Sequence, residues 1–200
     1  MVARQIAARG VFGRTVLEAL RAVPRHRFVP AQWTAAAYAD EPLPIGWGQT
    51  ISQPYIVALM SELLALHPSD RVLEIGTGCG YQTAVLARLA ALVYSVEIVP
   101  PLAARAAALL AELGVDTVCL RVGDGTYGWP EHAPYDGILV AAAPERPAPA
   151  WSEQLAEGGR LVVPLGGRAG QWLHRFTKRG DRLVDEAIMA VRFVPLVHGA

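Results

Sequence analysis

Three closely spaced glycines, Gly76, Gly78 and Gly80, two acids, Glu74 and Glu97, and one hydroxyl, Ser52, have the types and spacing to do chemistry. The glycines lie in Val72-Leu-Glu-Ile-Gly-Thr-Gly-Cys-Gly-Tyr, a short apolar run that breaks into a turn. Glycine permits a tight turn and lets a ligand lie against bare backbone. The helix expected to follow starts with free N–H groups. Glu97 comes 21 residues after Gly76, at the end of the next apolar run. A carboxylate at that position can accept hydrogen bonds from both ribose hydroxyls of a nucleoside. Asp124, in Val122-Gly-Asp-Gly-Thr, follows the third run and could meet an adenine edge, or it could simply hold an Asp-Gly turn.

The glycine spacing discriminates between nucleosides. A dinucleotide fingerprint places its third glycine three residues after the second. Here that position is Tyr81, and the third glycine comes two residues after the second. Glu74, inside the strand just before the turn, would repel a pyrophosphate. It could help hold a cationic amino-acid group, directly or through water, or it could cap local backbone. Both details favour S-adenosyl-L-methionine (AdoMet) over a nicotinamide dinucleotide.

These groups need elements to position them. Arg71–Ile75, Leu92–Ile98, Thr117–Val122, Tyr135–Val140 and Gly159–Pro164 read as strands. Tyr81–Leu89, Pro100–Leu113 and Trp151–Ala156 read as helices, two of the helices in this chain opening at or beside a proline. Alternation of strand and helix predicts an α/β, doubly wound, mostly parallel Rossmann-like sheet of the class I methyltransferase kind. Gln171–Thr177 and Glu186–Val194 are expected to close it as C-terminal antiparallel strands. Upstream, Val16, Leu17 and Leu20 recur at helical spacing, so the first forty residues read as an N-terminal helical region. The Pro- and Gly-punctuated stretch from Glu41 to Pro54 reads as loop, and Tyr55–Leu66 as a helix with Ile56, Leu59, Met60 and Leu63 on one face. Residues 1–200 are expected to form one domain, with helices and active-site loop over 1–68 and the cofactor-binding sheet over 69–200. Ligands in such sheets bind beyond the carboxyl ends of the strands, which gathers Gly76–Gly80, Glu97 and Asp124-Gly125 around one crevice.

Composition excludes several classes. The 200 residues are 52% hydrophobic, and 18 basic residues balance 18 acidic ones. The apolar fraction suits a packed core. Nothing in this balance suggests nucleic-acid binding, which usually comes with a basic excess. Two cysteines, Cys79 and Cys119, form no disulfide framework, and a cytoplasmic setting is expected. Cys119, in a strand, reads as core. The segment Met1–Phe12 lacks an apolar heart and does not read as a signal peptide. The longest uncharged stretch, Pro42–Ser61, carries three prolines and two glycines, so no membrane span is expected. The five histidines lack metal-ligand spacing and no metal is expected. Arg25-His-Arg27 reads as a solvated loop, and Trp33, Trp129, Trp151 and Trp172 could pack or line a groove.

Several segments together resemble the protein-L-isoaspartate O-methyltransferase family. They are Pro42-Leu-Pro-Ile-Gly-Trp-Gly-Gln-Thr-Ile-Ser-Gln-Pro-Tyr-Ile-Val-Ala, the glycine-rich run from Val72 to Ala84, Val122-Gly-Asp-Gly, Ala133-Pro-Tyr-Asp, Ala141-Ala-Ala-Pro, Gly158-Gly-Arg-Leu-Val-Val-Pro-Leu-Gly and Val191-Arg-Phe-Val-Pro-Leu. The glycine loop is common to many methyltransferases, whereas Gln49-Thr-Ile-Ser-Gln-Pro is far more specific. The resemblance implies AdoMet as methyl donor and isoaspartyl-containing proteins and peptides as substrates. It implies Ser52 as the active-site serine. It places Thr50, Ile51, Glu74, Gly76, Gly78, Gly80, Glu97, Asp124 and Gly125 at the cofactor, and Ser52, Arg192, Phe193 and Val194 at the substrate peptide. A monomer is expected. Trp47 stands where bacterial relatives usually carry His, and Cys79 where Ser is common.

A sulfonium methyl is already electrophilic and a carboxylate is already an anion at neutral pH, so no general base is needed. The loop from Pro42 to Pro54 has no charged residue. A neutral donor such as Ser52 could orient one carboxylate oxygen without quenching the other, although turn chemistry alone also uses Thr and Ser. Three alternatives remain at this point: an aspartyl methyltransferase dedicated to one precursor peptide, an NAD-dependent oxidoreductase, and a nucleoside-binding adaptor without catalysis.

Overall fold

In the computed structural model, residues 1–167 and 169–199 are described. The N-terminal region is helical in short pieces. A turn of π-helix at Val2–Ile6 and a 3-10 turn at Ala7–Arg9 precede α1, Arg14–Ala22, and two further 3-10 segments span Arg25–Phe28 and Ala31–Ala36. Helix α1 ends at Val23, the residue before Pro24, where the proline ring disfavours helical backbone. The expected solvated loop at Arg25 is corrected. Its side chain is fully buried, with Nε donating to the Ala37 carbonyl at 2.7 Å.

The stretch expected to be loop is a hairpin. Strand β1, Leu43–Gly46, pairs antiparallel with β2, Gln49–Ile51, through Leu43↔Ile51 and Gly46↔Gln49. The two turn residues, Trp47 and Gly48, have φ of 51° and 71°. Two successive left-handed residues match the twist of a tight hairpin, which explains how a Pro- and Gly-rich segment still pairs. Helix α2, Pro54–Leu64, begins at a proline, and Ala65 in the left-handed region ends it.

The remaining strands form one sheet. In chain order they are β3 Arg71–Ile75, β4 Leu92–Glu97, β5 Val118–Val122, β6 Tyr135–Val140, β7 Leu155–Gly167, β8 Gly170–Arg179 and β9 Arg182–Val191. Helices α3 Tyr81–Leu86, α4 Pro100–Glu112 and α5 Pro149–Gln154 connect them. The spatial order is β5-β4-β3-β6-β7-β8-β9. The pairs from β5 to β7 are parallel, and β7-β8-β9 is an antiparallel meander. The doubly wound sheet and its antiparallel C-terminal strands thus match expectation. The order reverses between β3 and β6, so the connections leaving their carboxyl ends turn to opposite sides of the sheet and leave a crevice there.

Strand alternation sorts the core. Leu73, Ile75, Tyr94, Val96, Ile138, Val140, Leu161 and Val163 pack on one face against Trp151 of α5. Val72, Val93, Leu139 and Val162 pack on the other against Ile56, Met60 and Leu64 of α2 and Leu86 of α3. Period-two geometry places Glu74 and Ser95 on this second, apolar face. Cys119 is exposed rather than core: β5 is an edge strand, and its outer residues lack a covering element. Trp151 is fully buried and its Nε1 donates to the Gly125 carbonyl at 2.9 Å, while Trp172 is exposed.

Candidate functional site

Two clefts meet at the carboxyl ends of the strands. The first is lined by the hairpin residues Gln49–Ile51 and Ser52, by Ile75–Cys79 after β3, by Val96–Val99 after β4, by Gly125, Ala141 and Ala142, and by Val194–Val197. The second is lined by Pro42, Thr50, Ser52, Gln53 and Ile56 on one side and Met189–Val194 on the other. Thr50, Ser52, Ala141 and Val194 belong to both.

The glycine turn is held by backbone. Gly76 N–H donates to the Val96 carbonyl at 2.8 Å and Ala141 N–H to the Ile75 carbonyl at 2.8 Å, so the turn starts where β3 leaves both neighbours. Gly76, Gly78 and Gly80 all have positive φ. The three glycines serve different ends. Gly76 and Gly78 line the first cleft, and a Cβ on Gly78 would sit 3.4 Å from Ile45 of the hairpin above. Gly80 lies outside the lining and lets α3 approach α4, since a Cβ there would be 3.3 Å from Ala106.

Glu97 is the acid of the cleft. Its Oε2 accepts Gly78 N–H at 2.7 Å and its Oε1 accepts Val99 N–H at 2.9 Å. Each oxygen keeps lone-pair capacity for a hydroxyl. The Gly78 N–H is therefore committed to Glu97 instead of awaiting an anion, which suits a ribose better than a phosphate. Gly125 lines the same wall, and a Cβ there would fall 2.3 Å from Ile75 Cγ2, so only glycine fits.

Two acids expected in the crevice are engaged by groups of the protein itself. Asp124 does not line the cleft. Its Oδ1 accepts the Thr126 N–H at 2.8 Å and the Thr126 hydroxyl at 2.6 Å, and its Oδ2 accepts Gly199 N–H at 2.9 Å. Burial would raise its pKa, yet these hydrogen bonds together hold it below the ordinary carboxylate value. The Asp-Gly turn reading is the one the geometry favours. Glu74 is fully buried beneath the floor and accepts hydroxyls from Thr83 at 2.5 Å and Ser95 at 2.6 Å, not backbone amides. Burial pushes its pKa up to about 7, Glu97 adds to this, and the two hydroxyl donors oppose it. The Thr77 hydroxyl, 2.6 Å from Ser95 Oγ, links this buried group to the cleft wall. Thr77 carried no sequence signal, being one turn residue among glycines.

The second cleft brings the two ends of the chain together. Phe193 lines it, but both of its backbone groups are engaged by Gln171: its N–H donates to Oε1 at 2.6 Å and its carbonyl accepts Nε2 at 3.1 Å. The Val194 carbonyl accepts Ala143 N–H at 2.8 Å. Of the stretch Arg192–Val194 expected at the substrate peptide, the Phe193 backbone and the Val194 carbonyl are therefore engaged within the protein. Trp47 sits at the hairpin tip, exposed, with the Arg105 guanidinium 5.5 Å from its ring. Arg105 Nη2 also donates to the Ile45 carbonyl at 2.7 Å, clasping the hairpin over the first cleft.

Residues 1–200 match the family model of protein-L-isoaspartate(D-aspartate) O-methyltransferase (PCMT). The chain belongs to this family. A protein-L-isoaspartate O-methyltransferase of Methanoregula boonei is 58% identical over 198 residues, covering 98% of this chain and 91% of the relative. One from Anaeromyxobacter dehalogenans is 57% identical over 192 residues, covering 94% and 92%. A solved protein-L-isoaspartate O-methyltransferase superposes with a TM-score of 0.88 at 34% identity, over 94% of this chain and 62% of that longer one. A Plasmodium falciparum PCMT structure, in complex with S-adenosyl-L-homocysteine, shares the fold with a TM-score of 0.86 at 23% identity, over 99% and 97% of the two chains. Among the described residues no helix is long and apolar enough to cross a membrane, and no His, Cys, Asp and Glu cluster could hold a metal.

Proposed function

We propose that this chain transfers a methyl group from AdoMet to the free α-carboxylate of L-isoaspartyl residues in proteins and peptides. The observation that carries this reading is the shared wall: Ser52 and Thr50 line both the cleft beside the glycine turn and the groove next to it. A donor and an acceptor bound in the two clefts meet there. AdoMet supplies a methyl group on a sulfonium, ready for displacement without a base. Glu97, Gly76, Gly78 and Gly125 are the residues that would hold its nucleoside, with Thr50 and Ile51 covering it. Glu74, Gly80 and Asp124 act from behind, by supporting the floor, the α3–α4 contact and the turn.

Ser52 orients the acceptor. Its hydroxyl donates to one carboxylate oxygen and leaves the other free to form the new C–O bond. The C–S electron pair stays on sulfur, so no proton moves. Apolar walls from Ile56, Met189 and Phe193 exclude water, which otherwise screens the nucleophile. Holding two reactants in line accounts for several kcal/mol of such a barrier. Arg192, Phe193 and Val194 form the opposite wall for an extended peptide. The ester formed then closes to a succinimide, and hydrolysis returns part of it as normal aspartate. We read the chain as one cytoplasmic, monomeric methyltransferase unit that acts on damaged proteins and not on nucleic acid.

Labelled AdoMet, offered with an isoaspartyl peptide and its aspartyl twin, tests the reading. Label is expected in the isoaspartyl peptide alone; equal labelling of both, or of neither, refutes it.

A further inference from the structure

Gln53 follows Ser52 directly and closes the peptide side of the loop. Its amide has one permitted orientation. Nε2 lies 2.9 Å from the Asp40 carbonyl oxygen and 2.7 Å from Asp40 Oδ2. Both hydrogens of the NH₂ are thus spent on acceptors, and a flipped amide would set its oxygen against two oxygens, one of them charged. Asp40 is itself fixed. Its Oδ1 accepts Tyr55 N–H at 3.0 Å, capping α2 from outside the helix. Its Oδ2 also meets Arg9 Nη1 at 2.5 Å, and the Arg9 guanidinium lies 3.6 Å over the Tyr55 ring.

This leaves one uncommitted polar atom on the Gln53 side chain, Oε1. Among the described residues it has no hydrogen-bond partner, yet it is not among the enclosed unpartnered atoms, so it is open to solvent. Gln53 lines the peptide groove beside Ser52 and opposite Arg192 and Phe193. An oriented acceptor therefore stands on the residue next to the Ser52 hydroxyl. The methyl acceptor presents the matching pair: a carboxylate, which accepts, and the residue's own peptide N–H on the same Cα, which donates.

We propose that Gln53 is a specificity-determining residue whose Oε1 accepts the peptide N–H of the residue being methylated, while Ser52 holds its carboxylate. Asp40 is then a positioning residue, acting through the Gln53 amide. The pairing reads the substrate as a peptide and not merely as an acid in a groove. It rests on the methyl-transfer reading above.

The test uses the full chain at saturating AdoMet, with an isoaspartyl peptide and a depsipeptide twin in which that single N–H is replaced by an ester oxygen. The unaltered protein is expected to lose about 3- to 10-fold in kcat/KM on the twin, the size of one neutral hydrogen bond, mainly through KM. Gln53→Met, with AdoMet binding retained as evidence of folding, is expected to treat both peptides within about twofold, near the value of the unaltered protein on the twin. Equal rates on both peptides with the unaltered protein, which needs no variant, would overturn the proposal alone. So would undiminished discrimination by Gln53→Met. No transfer to the parent peptide would refute the methyl-transfer reading and this proposal with it.

Discussion

Along the first cleft, Gly76, Gly78 and Glu97 come from two adjacent parallel strands, and their contacts are backbone amides meeting a carboxylate. Along the second, residues 42–53 meet residues 189–194 from the far end of the chain, and side chains do the holding: Asp40 on Gln53, Gln171 on Phe193. The floor of the first cleft is a by-product of the sheet, and the hairpin and Val194–Val197 only complete its walls. Once the connections after β3 and β6 leave to opposite sides, a crevice exists at the strand ends whatever the surrounding side chains. The second exists only if the hairpin and the segment after β9 both dock. The floor of the first cleft thus depends on the sheet itself, whereas the second cleft depends on a few long-range polar contacts that fix its walls.

If the two regions divide the work in this way, substitutions should separate binding from turnover. The largest effect is expected from Ser52→Ala, which should lower kcat by about 100-fold, the scale of losing one oriented donor at the reacting centre. AdoMet affinity measured by calorimetry should change by less than about twofold. Parallel loss of both quantities would erase the division.

The next effect is on stability and lies beneath the first cleft. Glu74 has its folded pKa raised from 4.5 to about 7, mainly by burial. A raised carboxyl pKa means that the folded state holds the proton more tightly than the unfolded chain. Its contribution is favourable at low pH and is lost as pH rises through the window from about 4.5 to 7. The loss approaches about 1.4 kcal/mol for each pH unit crossed. Glu74→Gln keeps an acceptor for Thr83 and Ser95 and should flatten this slope. Denaturant unfolding of both proteins across the window checks it, and identical slopes would remove the buried proton from the account.

Glu97→Gln should then raise the Kd for AdoMet by about 10-fold, from weakened hydrogen bonds to a formerly charged acceptor, while kcat at saturating AdoMet stays within about threefold. The smallest effect tests the element common to both clefts. Arg105→Ala releases the Ile45 carbonyl and the Trp47 ring, and should raise both the AdoMet Kd and the peptide KM by about 2- to 5-fold. A change in only one of the two would show that the hairpin serves that cleft alone.

Sequence patterns carried the sheet and most of the first cleft. Buried parallel strands are apolar runs, prolines open α2 and α4, and glycines mark turns, so these signals are local and survive without any tertiary information. Glu97 was legible because its strand ends at a predictable place. The hairpin at Leu43–Ile51 was not: prolines and glycines announce a break, and only the paired left-handed conformations of Trp47 and Gly48 turn the break into strands. The contacts that Asp124, Glu74 and Gly80 make within the protein were not legible, because proximity in sequence to a cleft does not say which side of its wall a side chain occupies.

Chain order by itself determined the alternating strands and helices, the glycine turn and the acid at the end of β4, since each depends on residues within one βα unit. Tertiary structure alone decided that Ser52 belongs to both clefts, that Asp40 orients Gln53, that Gln171 occupies Phe193 and that Arg25 is buried. These contacts join residues that are distant or differently oriented in the chain. Their pairing follows from how helices and hairpin pack onto the sheet, which no local spacing encodes.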